Sequence, residues 1–187
     1  MDDKTRWNEK YKKRLNNERK ESGANDRLKY LSPYFNGGVA VDFAAGLGEN
    51  SLFLARHGFE VQAFDISEIA VEHLSKKGEE EQLSIDAQVC DLTNLDRDLI
   101  RKDSADIAVI AYYLDRELIP FAMETVKTGG FFFMETFFLA PGKEEEGVAK
   151  KYKLEPGELL SLFKEWHILY FEENEHESRQ TLFARKK

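Results

Sequence analysis

One cysteine, Cys90, stands among 187 residues, so no internal disulfide can form. That suits a reducing compartment and gives the expectation of a cytoplasmic protein. No apolar run approaches the roughly 20 residues of a membrane span, so no transmembrane helix is expected. The opening MDDKTRWNEKYKKR has no apolar segment of the secretory-signal kind. Basic residues are outnumbered, 27 against 35 acidic ones, and the net charge of −8 argues against nucleic acid as a main partner. Phosphate binding relies on Lys and Arg. The lone cysteine and four histidines offer no zinc-site spacing, so no metal is expected. There is no G-x-S-x-G elbow and no Walker loop. No internal repeat occurs, and the one biased stretch is Lys143-Glu144-Glu145-Glu146.

What remains is the composition of a soluble globular protein, 42% hydrophobic and 33% charged. The length predicts one domain over 1–187, with an N-terminal helical cap region at 1–35 and a core at 36–187. Trp7, Tyr11 and Leu15 fall four apart, which predicts a helix over 5–17. Its basic residues, Lys4, Arg6, Lys10, Lys12, Lys13 and Arg14, with Arg19 and Lys20 beyond, read as a solvated face broken by acidic neighbours. Asn25 or Asp26 caps a second helix that ends before Pro33.

A strand at 39–43 leads into a small-residue loop and a helix at 49–57, stopped by Gly58. A strand at 60–64 follows, then a helix capped by Ser67 that ends near Gly78. Strands are predicted at 84–89 and 105–111, with a short helix or turn at 95–100 between them. A helix at 115–127 meets a turn at Thr128-Gly129-Gly130, and a strand runs over 131–136. The polar stretch 141–153 is long for a structureless loop and reads as a binding lid or disordered segment. Pro156-Gly157-Glu158 opens a short helix, and strands at 167–171 and 179–184 form a hairpin. The alternation predicts a doubly wound, Rossmann-like α/β fold: a mostly parallel seven-stranded sheet with an antiparallel C-terminal hairpin strand.

In such sheets ligands bind beyond the carboxyl ends of the strands. The candidate residues are therefore Asp42, Ala44, Ala45, Gly46 and Gly48 after the first strand, with Asn50 opening the next helix. Asp65 and Ile66 follow the second strand, Asp91 and Leu92 the third, Ala111 and Tyr112 the fourth, and Glu135 ends the fifth. Gly46 and Gly48 let the backbone turn tightly and approach a ligand without a Cβ clash. Asp65 is placed to accept from both hydroxyls of a ribose, in either a dinucleotide or an adenosyl ligand. Asp42 before the loop and Glu49 at the helix start would repel a diphosphate, which seeks a positive helix end. Asp42 suits a cationic ligand with a sulfonium and an ammonium group. Asp91 suits an adenine amino group, or else caps its own turn.

The pattern D-x-A-x-G-x-G-x-N-S-x-x-L-A-x-x-G, then V-x-A-x-D-x-S, resembles motifs I and II of class I S-adenosylmethionine-dependent methyltransferases. Within that superfamily it most resembles the small tellurite-resistance-type branch. Asp91-Leu92, Gly129-Gly130, Glu135-Thr136-Phe137, Leu154-x-Pro156-Gly157-Glu158-Leu159 and Trp7-Asn8-x-x-Tyr11 are similar to further segments of that branch. The position after Ala44 is often Cys there, and is Ala45 here.

The resemblance implies transfer of a methyl group from S-adenosyl-L-methionine, leaving S-adenosyl-L-homocysteine, and carries over no substrate; the compact length favours a small-molecule acceptor over a macromolecule. It implies that the backbone at 44–48 holds the donor's amino-acid part, Asp65 the ribose, and Asp91-Leu92 the adenine. The activated sulfonium asks the protein mainly for alignment and desolvation. Glu135 and Tyr112 are the candidates if the acceptor must lose a proton; His57, His73, His167 and His176 are not. Tyr11 and Arg14, with the basic first helix, could close over the donor or receive an anionic acceptor. Two alternatives stand: a non-catalytic module binding S-adenosylmethionine or S-adenosylhomocysteine, and an NAD-dependent oxidoreductase. For the latter Ser51 occupies the place of the third glycine of G-x-G-x-x-G. The oligomeric state is open, since 131–133 and 137–138 could be core or a contact patch.

Overall fold

The computed structural model describes residues 2–16 and 23–187. They fall into two compact units, Met1–Leu99 and Ile100–Lys187. The first holds α1 (Asp3–Asn16), α2 (Asp26–Tyr30), β1 (Gly38–Phe43), α3 (Glu49–Arg56), β2 (Phe59–Asp65), α4 (Glu68–Glu80) and β3 (Ile85–Val89). The predicted last residue of the first helix, Asn17, and the basic Arg19 and Lys20 lie outside the described residues.

The strands form because their apolar runs are buried. Ala40, Val41 and Phe43 of β1 and Val61, Ala63 and Phe64 of β2 are all inaccessible, as in a strand covered on both faces. β1 pairs parallel with β2, Gly38 opposite Phe59 through Phe43 opposite Phe64, and β2 pairs parallel with β3. This register brings the chain ends of β1, β2 and β3 to one edge. Beyond it, Ala45 N–H donates to the Phe64 carbonyl at 3.0 Å and Cys90 N–H to the Asp65 carbonyl at 2.8 Å. Gly48 caps α3 at φ 86°, and a Cβ there would run into the Leu74 side chain, so this position admits only glycine. Asn25 caps α2 and Ser67 caps α4, each with a side-chain oxygen taking a backbone N–H.

The second unit holds β4 (Ala105–Ala111), α5 (Leu118–Thr125), β5 (Val126–Phe137), α6 (Glu158–Leu162), β6 (His167–Asn174) and β7 (Arg179–Arg185). β4 and β5 are parallel, and β7 runs antiparallel to both β5 and β6. The seven strands follow the order β3-β2-β1-β4-β5-β7-β6. This is the mostly parallel, Rossmann-like sheet with one reversed strand that the alternation predicts.

Three segments differ from expectation. The turn predicted at Thr128-Gly129-Gly130 is a bulge inside β5: Val126 pairs with Ala105, and Phe131 with Ile107. Its backbone is not idle, since Gly129 N–H donates to the Lys186 carbonyl and Lys186 N–H to the Gly130 carbonyl, both at 2.9 Å. Helix α5 is shorter than 115–127, because Asp115 takes the Glu117 N–H at 2.9 Å and turns the chain first, while Val126 already belongs to β5. The polar stretch 141–153 is ordered around Lys153, which is only 1% exposed. Its ammonium donates to the carbonyls of Lys143, Glu144 and Glu146 at 3.2, 2.8 and 2.6 Å. Three N–H donors thus meet three carbonyls, and the buried charge is fully solvated by backbone. Phe132, Phe133 and Phe138 are core residues.

Candidate functional site

At the carboxyl edge of β1 and β2, Asp65 organises the loop. Its Oδ2 accepts the Gly46 N–H at 2.8 Å and its Oδ1 the Ser67 N–H at 2.9 Å. One carboxylate therefore pins the small-residue loop to the start of α4. Each oxygen keeps a second lone pair, so its capacity to accept is not exhausted. Ala44, Ala45, Gly46 and Ile66 are half-buried and form the open rim of this edge. Ala44 is held at φ 56°, a left-handed conformation that costs a non-glycine residue on the order of 1 kcal/mol. Such strain collects at ligand sites, where the surrounding structure imposes it.

Asp42 lies under the loop, 1% exposed, and its Oδ2 accepts the Ser51 hydroxyl at 2.6 Å. Burial raises its carboxyl to about 7, and repulsion from Asp65 and Glu49 adds to the rise against the Ser51 hydrogen bond. Burial likewise raises Asp65, opposed by its Ser67 and Gly46 hydrogen bonds. This edge holds more negative charge than it can comfortably keep. Asn50 turns aside from it, its Oδ1 accepting the Asn25 N–H at 2.9 Å. Asp91 caps its own turn, with Oδ1 taking the Thr93 N–H at 3.0 Å and hydroxyl at 2.7 Å, and Leu92 is buried.

Helix α1 packs over the same edge. Tyr11 joins Leu47 and Ala70 in one buried cluster, with Trp7 and Ile69 against it, while Leu15 is exposed. The predicted stripe therefore buries its middle residue most. Asn8 Oδ1 accepts the Ser67 hydroxyl at 2.6 Å, Lys4 pairs with Glu68, and Arg14 approaches Glu49 at 3.8 Å.

In the second unit, a cluster stands at the carboxyl ends of β4 and β5. Ala111 is half-buried, and Tyr112 follows at φ 59°, an outlier for a bulky residue. That conformation folds Tyr112 back on β5. Its N–H donates to the Glu135 carbonyl at 2.8 Å and its hydroxyl to Glu135 Oε1 at 2.9 Å. Glu135 is wholly buried, and its Oε2 accepts the Thr181 hydroxyl at 2.7 Å. Tyr112 is 50% exposed; burial of its hydroxyl and the adjacent Glu135 push its phenol up to about 12, with Arg179 opposing. The Arg179 guanidinium lies 3.7 Å from the Phe137 ring centroid and 4.9 Å from that of Tyr112. Arg179 and Thr181 escaped the sequence reading, because alternate positions of a terminal hairpin strand carry no motif. Only their period-two spacing marks them as sharing a face.

The family model described as tellurite resistance protein TehB matches residues 4–183. The chain belongs to the TehB family. A curated relative, the probable S-adenosyl-L-methionine-dependent methyltransferase TehB of Haemophilus influenzae, is 25% identical over 165 residues, 83% of this chain and 54% of that protein. A second strain's protein of the same description is 24% identical over the same shares. The chain spans about half the length of these relatives. Among solved structures, TehB from Haemophilus influenzae superimposes with a TM-score of 0.74 at 20% identity, over 97% of this chain and 67% of that one. Geranyl diphosphate C-methyltransferase from Streptomyces coelicolor A3(2), solved with Mg2+, geranyl diphosphate and S-adenosyl-L-homocysteine, gives 0.69 at 12% identity, over 86% and 80%. A SAM-dependent methyltransferase from Aquifex aeolicus gives 0.68 at 14%, over 94% and 96%. At these identities the TehB-family chain shares the fold of the three.

Proposed function

We propose that this chain is a cytoplasmic S-adenosylmethionine-dependent methyltransferase acting on a small-molecule acceptor. The observation that carries this reading is the charge at the carboxyl edge of β1 and β2. Asp42, Asp65 and Glu49 crowd there, and both aspartates are raised. A cationic ligand relieves that crowding, and a diphosphate worsens it. S-adenosylmethionine brings a sulfonium and an ammonium group. The loop at Ala44 to Gly48 offers its amino-acid part backbone that is half-buried at Ala44, Ala45 and Gly46, and Asp65 has lone pairs left for ribose hydroxyls. Asp91, with one carboxylate oxygen committed to its turn, serves the adenine side with Leu92 beneath. The family and the adenosyl ligand of the Streptomyces neighbour support the same donor.

The donor supplies an activated methyl group, so the chain's own part is to hold, orient and dry the reacting groups. Tyr112 is the exposed member of the second cluster and the group an acceptor would meet. Glu135, enclosed by Tyr112 and Thr181, positions that hydroxyl and holds its proton on the phenol side. Glu135 is thus a positioning residue.

The test is calorimetric titration with S-adenosylmethionine, S-adenosylhomocysteine and NAD, beside Asp65→Ala checked for fold by circular dichroism. Micromolar binding of both adenosyl ligands, lost in the variant, with none for NAD, is the expected result. Failure of both adenosyl ligands to bind the wild type refutes the reading. Donor turnover in an acceptor screen then separates an enzyme from a binding module.

A further inference from the structure

The outermost strand β6 is long and apolar for a sheet edge. It pairs with β7 on one side, and among the described residues no strand follows on the other. It runs for eight residues, and Ile168, Leu169, Tyr170 and Phe171 stand in a row, all half-buried and none in the core. Tyr170 and Phe171 point to opposite faces, so apolar surface borders the edge on both. Open N–H and C=O groups flanked by such side chains are a template for another strand. Natural edges are blunted with lysine, proline or a bulge. β6 has neither lysine nor proline, and its one register shift, between Ile168 and Tyr170, leaves Tyr170 to Asn174 in step with β7. Charge is divided along the strand. Lys164 and His167 stand at its start, with Arg185 3.1 Å from the His167 ring, against one acid, Glu165. Glu172, Glu173, Glu175 and Glu177 stand at or beyond its end, with His176 and against one fixed cation, Arg179.

We propose that β6 is the interface between two copies of this chain, paired antiparallel across a two-fold axis near Tyr170 and Phe171. The division of charge selects both the occupant and its direction. An antiparallel second copy sets each basic start beside the other's acidic end, where opposite charges attract. A parallel copy would set acid beside acid, which destabilises a strand pair. The partner strand this edge fits is apolar in the middle, basic at one end and acidic at the other, and β6 itself has that pattern. A contact in which one surface meets its own copy across a two-fold closes as a dimer. Pairing satisfies the outer backbone groups of both strands and covers the four apolar side chains of each. The proposal is independent of the methyl-donor reading.

Sedimentation velocity over micromolar concentrations tests it, with each variant checked for fold by circular dichroism. The wild type is expected to form a reversible dimer. Leu169→Lys places a charge on the edge at the register shift, where it disturbs the β6–β7 ladder least, and is expected to leave a folded monomer. Lys164 and Glu175 are exposed and outside the ion pairs of the described residues, whereas Glu173 accepts the Gly157 N–H at 2.6 Å and is left alone. Lys164→Glu and Glu175→Lys each turn two symmetry-related attractions into repulsions and weaken the dimer about tenfold, and the double variant restores it. These two decide the matter even if Leu169→Lys fails to fold. A wild type that stays monomeric overturns the proposal. So does a dimer untouched by a folded Leu169→Lys, a double variant no tighter than either single one, or growth of the wild type into open-ended assemblies.

Discussion

Asp42→Asn isolates the cost of keeping a carboxylate under the donor loop. Asp42 is inaccessible and has a carboxyl near pH 7, against 3.8 for an ordinary aspartate. A raised folded-state pKa means that the native protein binds the proton more tightly than the unfolded chain. Its contribution to stability is fully present below about pH 4 and is lost as pH rises through about 7. Integrating between these values gives roughly 4 kcal/mol in all, of which roughly 2 kcal/mol falls between pH 5.5 and 8. Asparagine does not titrate. It keeps an acceptor for the Ser51 hydroxyl but buries two N–H donors, a pH-independent cost of about 1–3 kcal/mol. Urea unfolding followed by circular dichroism at pH 5.5, 6.5, 7.2 and 8 measures both proteins. The difference between them should close by about 2 kcal/mol across the series, in favour of the variant at high pH. Histidines and surface acids titrate alike in both and cancel. A difference that stays constant over the whole range refutes the argument, for the burial of Asp42 would then carry no charge penalty.

The same crowding makes donor affinity rise between pH 6 and 8, because a sulfonium ligand draws the proton off Asp42; a flat profile for S-adenosylmethionine counts against it. In an acceptor-dependent assay Tyr112→Phe and Glu135→Gln each lower turnover by about 10–100-fold, and the double variant is no worse than either, since one acts through the other. Gly130→Ala loses about 2–4 kcal/mol in urea, because its Cβ would lie 2.9 Å from the Ala105 carbonyl oxygen and 3.0 Å from that of Asp106. Gly129→Ala, with open space around it at φ 83°, loses only about 1–2 kcal/mol. Lys153→Met frees the carbonyls of Lys143, Glu144 and Glu146, and amide exchange across 143–149 accelerates at least tenfold, with about 2 kcal/mol lost overall.

Local signals made most of the fold legible. Ser67 and Asn25 cap the helices that their chemistry announces, Gly58 ends α3, and 105–111 is a strand at the bounds its apolar run suggests. Misreadings came where distant residues decide. Thr128-Gly129-Gly130 has the composition of a free turn, and only the Lys186 backbone makes it a bulge. The stretch 141–153 has the composition of a loose loop, and a buried ammonium at its far end gathers three of its carbonyls. At the candidate site the sequence located the residues better than their partners. Asp65 and Asp91 stand at strand ends as expected, but their hydrogen bonds to Gly46, Ser67 and Thr93 serve the loops themselves. The Tyr112–Glu135–Thr181 chain needs a β5–β7 register that no short motif encodes.

The Lys153 ammonium does for 143–146 what a bound potassium ion does for other carbonyl cages, with the difference that it cannot exchange with the solvent. The cage therefore needs no cation from the salt of the medium. It is also self-reporting. An amine-reactive reagent such as acetic anhydride reaches Lys153 only when the cage opens, and once acylated the nitrogen loses its charge and most of its donors, so the cage does not reform. The ratio of its acylation rate to that of exposed Lys151 is a direct gauge of how often this part of the molecule comes undone.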